Sequence, residues 1–226
     1  MTSGPETLVL LHGFASSFDH GWQRTGWVDI LSDVDCRVPA IDLPGHGTSP
    51  RSTDPADYAD LEEAVLAGIP PGVRDAVGFS AGGEILLRMA ADRPGRFGRI
   101  AVLGVGDTLF APAEPGTVVA ALEGESGPDD VQAQLFLRLA RSAGNDPAAL
   151  SAFLRRPRRP LDEEQLARVT CPVLVVLGER DFVGTADRLT AALPAATLVT
   201  LPGEDHFSTP SAFGAIDAVM RFFSLG

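Results

Sequence analysis

There is no lysine in this 226-residue chain; all 18 basic residues are arginine. Chemistry that needs a primary amine, such as Schiff-base catalysis or pyridoxal phosphate attachment, is thereby excluded. Cysteine is nearly absent too. Cys36 and Cys171 each stand beside the start of an apolar run and read as free buried thiols, not as a disulfide framework. The four histidines are scattered. Neither they nor the cysteines show metal-ligand spacing, so no metal site is expected. No apolar run reaches the roughly 18 residues that a membrane-spanning helix needs. Positive charge is scarce as well: 30 acidic residues against 18 arginines leave a net charge of −12, which argues against nucleic acid as a partner. Met1-Thr2-Ser3-Gly4-Pro5-Glu6 has no basic start and no apolar stretch. That predicts no secretory leader and a cytoplasmic protein.

What remains is an ordinary globular composition, 45% hydrophobic and 21% charged, long enough for one domain with its own core. The bias toward Arg, Ala, Gly and Pro points to a GC-rich bacterial genome. Six strand-like segments fall at about residues 7–11, 36–41, 74–79, 99–104, 172–178 and 196–201. Longer polar or helical stretches separate them. That alternation predicts an α/β fold, a mostly parallel six-stranded sheet with helices on both faces.

One stretch carries chemistry. Gly78-Phe79-Ser80-Ala81-Gly82 follows the apolar Asp75-Ala76-Val77 and precedes the helical Glu84-Ile85-Leu86-Leu87-Arg88-Met89. A serine between two glycines at a strand-to-helix junction has the form of a nucleophile elbow, a turn so tight that its flanking positions admit only very small residues. The bland reading of Ser80 is a cap for the following helix. Other motifs accompany it: Leu8-Val9-Leu10-Leu11 running into His12-Gly13-Phe14; Asp42-Leu43-Pro44-Gly45-His46-Gly47; Val173 to Leu177 running into Gly178-Glu179-Arg180-Asp181; and Gly203-Glu204-Asp205-His206-Phe207. In this order the motifs resemble the alpha/beta-hydrolase family over nearly the whole chain.

The resemblance implies a serine hydrolase with Ser80 as nucleophile, His206 as base and Asp181 as the acid that orients it, in the family's order of serine, acid, histidine. Asp107, after an earlier strand, is the rival acid. Asp205 adjoins His206, too close in sequence for that geometry. The backbone amides of Phe14 and Ala81 would form the oxyanion hole. His12 and His46 fall in motifs with structural roles, and His20 has no supporting pattern. Carboxylic esters or similar activated acyl bonds are the expected substrates, small molecules handled without cofactor or metal. A thioesterase, a carbon–carbon hydrolase, a cofactor-free lyase and a slow-turnover ligand-binding member of the fold stay open as alternatives.

Residues 106–168 are expected to form a small helical cap over a core of residues 1–105 and 169–226. Asp129 to Ala143 has helical periodicity with an apolar stripe of Val131, Leu135, Phe136 and Leu139, and Ala148 to Leu154 suggests a second helix. Another begins near Leu161-Asp162-Glu163-Glu164. The cluster Arg155-Arg156-Pro157-Arg158-Arg159 reads either as a solvated loop or as a site for an acidic substrate. Trp22 and Trp27 either shape the cleft or sit in the core. The antiparallel hairpin that often precedes the first of these strands has no counterpart before Thr7. That leaves the segment around Val38–Ile41 at a sheet edge, to be covered by a helix or by a second subunit in a homodimer.

Overall fold

In the chain's computed structural model, residues 7–111, 116–125, 130–158 and 161–226 are described. β1 (Leu8–Leu11), β2 (Asp75–Phe79), β3 (Arg99–Leu103), β4 (Val173–Gly178) and β5 (Ala196–Leu201) lie side by side in that order, every neighbouring pair parallel. Helices α1 (Trp27–Ser32) and α2 (Leu61–Gly68) connect β1 to β2, and α3 (Ala81–Asp92) connects β2 to β3. Four helices fill the long connection to β4: α4 (Gly116–Leu122), α5 (Val131–Ser142), α6 (Pro147–Arg155) and α7 (Glu163–Leu166). Then α8 (Asp187–Ala192) precedes β5, and α9 (Phe213–Phe222) follows it.

The central strands are apolar at consecutive positions because both of their faces are covered. Val9, Leu11, Ile100, Val102, Val173 and Val175 point to one side, where they meet Leu61 and Val65 of α2, Ile85, Leu86 and Met89 of α3, and Leu189 of α8. Leu8, Leu10, Val77, Leu103, Leu174 and Val176 point to the other, against Trp27 and Leu31 of α1 and Ala215 and Val219 of α9. Each fully buried side chain of this size adds about 1.5–3 kcal/mol. Trp22 and Trp27 meet edge to face, 5.4 Å apart, inside this second layer, so both are core residues. Cys36 and Cys171 are buried and unpaired.

The sheet has five strands, not six, among the described residues. Residues 36–41 reach the β1 edge but make only a single parallel bridge, Thr7 to Arg37, in which the Leu8 amide donates to the Arg37 carbonyl at 2.9 Å. Pro39 has no amide with which to continue a ladder, so pairing stops there.

In the long connection, α5 and α6 occupy the helical segments read from periodicity, although Asp129 lies outside the described residues. Asp130 caps α5 through the Ala133 amide. Of the expected apolar stripe, Phe136 and Leu139 pack against the core beside the fully buried Ala133 and Ala140, while Val131 is 68% exposed. Asp162 and Gln165 close a reciprocal capping box around α7. Among the described residues, no helix is long and apolar enough to cross a membrane.

Candidate active site

Phe14, Ser80, Ala81, Asp107, Asp181 and His206 lie just beyond the carboxyl ends of strands, where open parallel sheets place ligands. Ser80 stands directly between β2 and α3 with φ 50° and ψ −116°, a conformation that L-residues seldom adopt. Close packing of the glycines around it holds that turn. A Cβ on Gly78 would come within 2.5 Å of the Gly82 carbonyl oxygen, and one on Gly82 would collide with the Leu11 carbonyl at the end of β1. The serine is thereby lifted clear of the sheet at the amino end of α3.

Two loops bring polar groups to it. The His206 Nε2 lies 3.1 Å from Ser80 Oγ. On the other side of the ring, Nδ1 lies 2.9 and 3.0 Å from the two carboxylate oxygens of Asp181. Both side chains are buried. Because the carboxylate can only accept, Nδ1 carries a proton and Nε2 is left to accept from the serine hydroxyl. Phe182 and Phe79 flank the imidazole with centroids 4.3 and 4.9 Å away. The loops themselves are braced. Asp205 accepts from the amides of Phe207 and Ser208, and the Asp181 Oδ1 accepts from Val183. Asp107 is elsewhere: its carboxylate accepts from Thr185 Oγ1 and from the Arg188 and Leu189 amides, so it caps α8.

The His12-Gly13-Phe14 loop passes beside the serine, and a Cβ on Gly13 would sit 3.4 Å from Ser80 Cβ. Among the described residues, neither the Phe14 amide nor the Ala81 amide has an acceptor. His12 holds this loop. Its Nδ1 donates to the Gly13 carbonyl at 2.8 Å, and its Nε2 accepts from the Leu43 amide at 3.1 Å. Burial lowers its pKa, so it is neutral. His46 donates from Nδ1 to the Pro44 carbonyl and packs edge-on to Phe14 and Phe153. Burial, reinforced by neighbouring His12, pulls His46 down to about 3. His20 meets Ser142 Oγ at 3.1 Å, away from the serine.

Asp42 and Asn145 complete the scaffold; the sequence reading quoted Asp42 only as part of a motif, without a role, and missed Asn145. Asp42 accepts from the Phe18 and Thr48 amides and the Thr48 hydroxyl. Burial would raise its carboxyl, but these bonds prevail and hold it below the usual carboxylate range. Asn145, the chain's single asparagine, donates to the carbonyls of Ala15 and Ser16 and accepts from the Gly47 amide, each at 2.8 Å. Its rarity was the one signal available; its partners lie about a hundred residues or more away.

A cavity of about 320 Å³ opens at Ser80, lined by Phe14, Ala81, Val118, Phe136, Phe153 and Leu154 together with Glu84, Arg156 and Arg158. The arginine cluster is thus divided. Arg156 and Arg158 stand between this cavity and a neighbouring pocket that holds Glu62, Arg88 and Asp92, Arg155 pairs with Glu123 at 2.8 Å, and Arg159 lies outside the described residues. No cluster of His, Cys, Asp and Glu suited to a metal occurs among the described residues.

The sequence profile described as "Alpha/beta hydrolase family" matches residues 8–216. The chain is 29% identical to the pimeloyl-[acyl-carrier protein] methyl ester esterase of Nitrosomonas europaea, with 90% of this chain and 89% of that protein aligned. Against the protein of the same name from Chromobacterium violaceum, identity is 30% over 90% of this chain and 87% of the relative. A solved Rhodococcus sp. esterase superposes with a TM-score of 0.64 at 24% identity, covering all of this chain and 93% of that one.

Proposed function

The chain is a hydrolase of the alpha/beta hydrolase family, and we propose that it cleaves carboxylic esters or similarly activated acyl bonds by a Ser80–His206–Asp181 mechanism. The observation that carries this reading is the continuous contact from Ser80 Oγ through the His206 ring to Asp181. A serine hydroxyl is a weak nucleophile until a base takes its proton. His206 Nε2 takes it as Oγ attacks the carbonyl carbon. Asp181 holds the ring in the right tautomer and stabilises the imidazolium. The oxygen of the tetrahedral intermediate becomes an anion and receives the Phe14 and Ala81 amides; each such donor is worth about 2.7–4 kcal/mol of the barrier. When the intermediate collapses, the leaving alcohol takes the proton from Nε2. Water, deprotonated by the same nitrogen, then releases the acyl group and restores Ser80. Residues 106–168 act in this reading as a cap, supplying Val118, Phe136, Phe153 and Leu154 as the apolar wall of the acyl site.

A fluorophosphonate probe should label Ser80, and Ser80→Ala and His206→Ala should each remove most ester hydrolysis while the circular dichroism spectrum is kept. Groups that act as a unit are not additive, so the double variant should be little worse than either single one. Full activity in Ser80→Ala would overturn the mechanism.

A further inference from the structure

The two arginines that line the serine cavity have no ion-pair partner among the described residues. Arg156 lies over the Phe153 ring, 4.0 Å from its centroid, and donates to the Phe153 carbonyl. Arg158 Nε is buried without a hydrogen-bond partner. No carboxylate among the described residues is within ion-pair distance of either guanidinium. The nearby Glu62 is engaged by Arg88, and Arg155 is turned outward onto Glu123. Glu84, which also lines the cavity, and Glu62 act on both guanidinium groups from beyond ion-pair distance. Burial and Arg158 pull Arg156 down to about 9, so it remains a cation at neutral pH. Taking guanidinium groups out of water without a directly paired anion is unfavourable, and an orphaned buried donor calls for a ligand. The contrast with the rest of the molecule is sharp, since the chain as a whole carries −12.

We infer that Arg156 and Arg158 form an anion subsite of the Ser80 cavity, and that the enzyme's preferred substrate carries a carboxylate a short apolar stem away from the scissile ester. This rests on the proposed role of Ser80. The wall of Phe14, Val118, Phe136, Phe153 and Leu154 takes the stem, and the guanidinium groups take the carboxylate through charge-assisted, fork-like hydrogen bonds. The carboxylate can belong to the acyl group or to the alcohol.

Two substrate pairs separate these sources. Mono-p-nitrophenyl glutarate and its methyl ester differ in charge on the acyl side; 4-(butyryloxy)benzoate and its methyl ester differ on the alcohol side. The charged member of one pair should have a kcat/KM at least about tenfold above its neutral partner, as one charge-assisted bond implies. Arg158→Gln should bring that ratio close to one, while Arg155→Gln should leave the ratio as it is. A second readout does not need turnover: glutarate should shift the Arg158 Nε–H resonance in ¹⁵N spectra. If neutral esters are cleaved and charge gives no advantage in either pair, or if the advantage survives Arg158→Gln, the subsite is wrong and the Ser80 mechanism stands. If no ester is cleaved and Ser80 resists the fluorophosphonate, the mechanism fails, and the glutarate titration alone decides the subsite: an unmoved resonance overturns it.

Discussion

The Asn145 side-chain amide donates to the Ala15 carbonyl at 2.8 Å, joining the connection between β3 and β4 to the loop that follows β1. Ala15 has a positive φ of 63° and comes directly after Phe14, whose amide is proposed to face the oxyanion. The same asparagine holds Gly47, in the turn that contains His46. One side chain thus ties three segments together behind the serine.

Asn145→Ala should therefore lower kcat more than it raises KM, because the loop that carries the Phe14 amide loses its brace while the cavity wall keeps its side chains. Stability should fall by about 1–3 kcal/mol, since buried partners are left unsatisfied. Urea unfolding and steady-state kinetics on a short ester measure both. An unchanged kcat would show that His12 alone holds the loop.

Asp181→Asn and Asp107→Asn should separate cleanly. Only Asp181 touches His206, so its amide variant should lose on the order of 10³–10⁴-fold in kcat by stabilising the wrong tautomer. Asp107→Asn should reduce thermal stability by loosening the start of α8, with activity nearly intact. The opposite ranking would transfer the acid to the loop after β3.

The neutral buried histidines predict acid lability. His12 and His46 both have folded pKa values below their unfolded value of about 6.5, so below that pH the unfolded chain binds more protons. Their contribution is fully present above about pH 6.5 and declines as pH falls toward the folded values, by about 1.4 kcal/mol per pH unit for each group. His46→Phe, placed among Phe14 and Phe153, should remove one proton's worth of that slope between pH 6 and 4.5. Urea midpoints taken across this range give the answer, and parallel curves for the two proteins would refute the assignment.

The cavity sets a limit on acyl length. Each fully enclosed methylene contributes about 0.8 kcal/mol, and a space of about 320 Å³ encloses few of them. Among neutral p-nitrophenyl esters, kcat/KM should peak between acetate and hexanoate and then fall. A continued rise to palmitate would reveal a longer channel.

The α/β class and the chain order of the loops that carry Ser80, Asp181 and His206 were legible in the sequence, because a parallel sheet writes its buried strands as apolar runs and the residues just beyond them necessarily share one end of the sheet. Gly78 was legible for a local reason, since its constraint comes from the Gly82 backbone four residues on, whereas Gly82 is held small by the Leu11 carbonyl at the end of β1. The strand read at residues 36–41 failed on a single residue, because apolar character does not report whether Pro39 leaves the edge an amide to pair with. The stripe on α5 was legible at Phe136 and Leu139 but not at Val131, because periodicity finds an apolar face without saying where its neighbours end. Only the tertiary structure decided that Asp181, and not Asp107, reaches His206, that Asn145 braces the loop after β1, and that Arg156 and Arg158 line the serine cavity while Arg155 pairs with Glu123. Those are contacts between segments far apart in the chain, and their geometry depends on how the connections pack over the sheet.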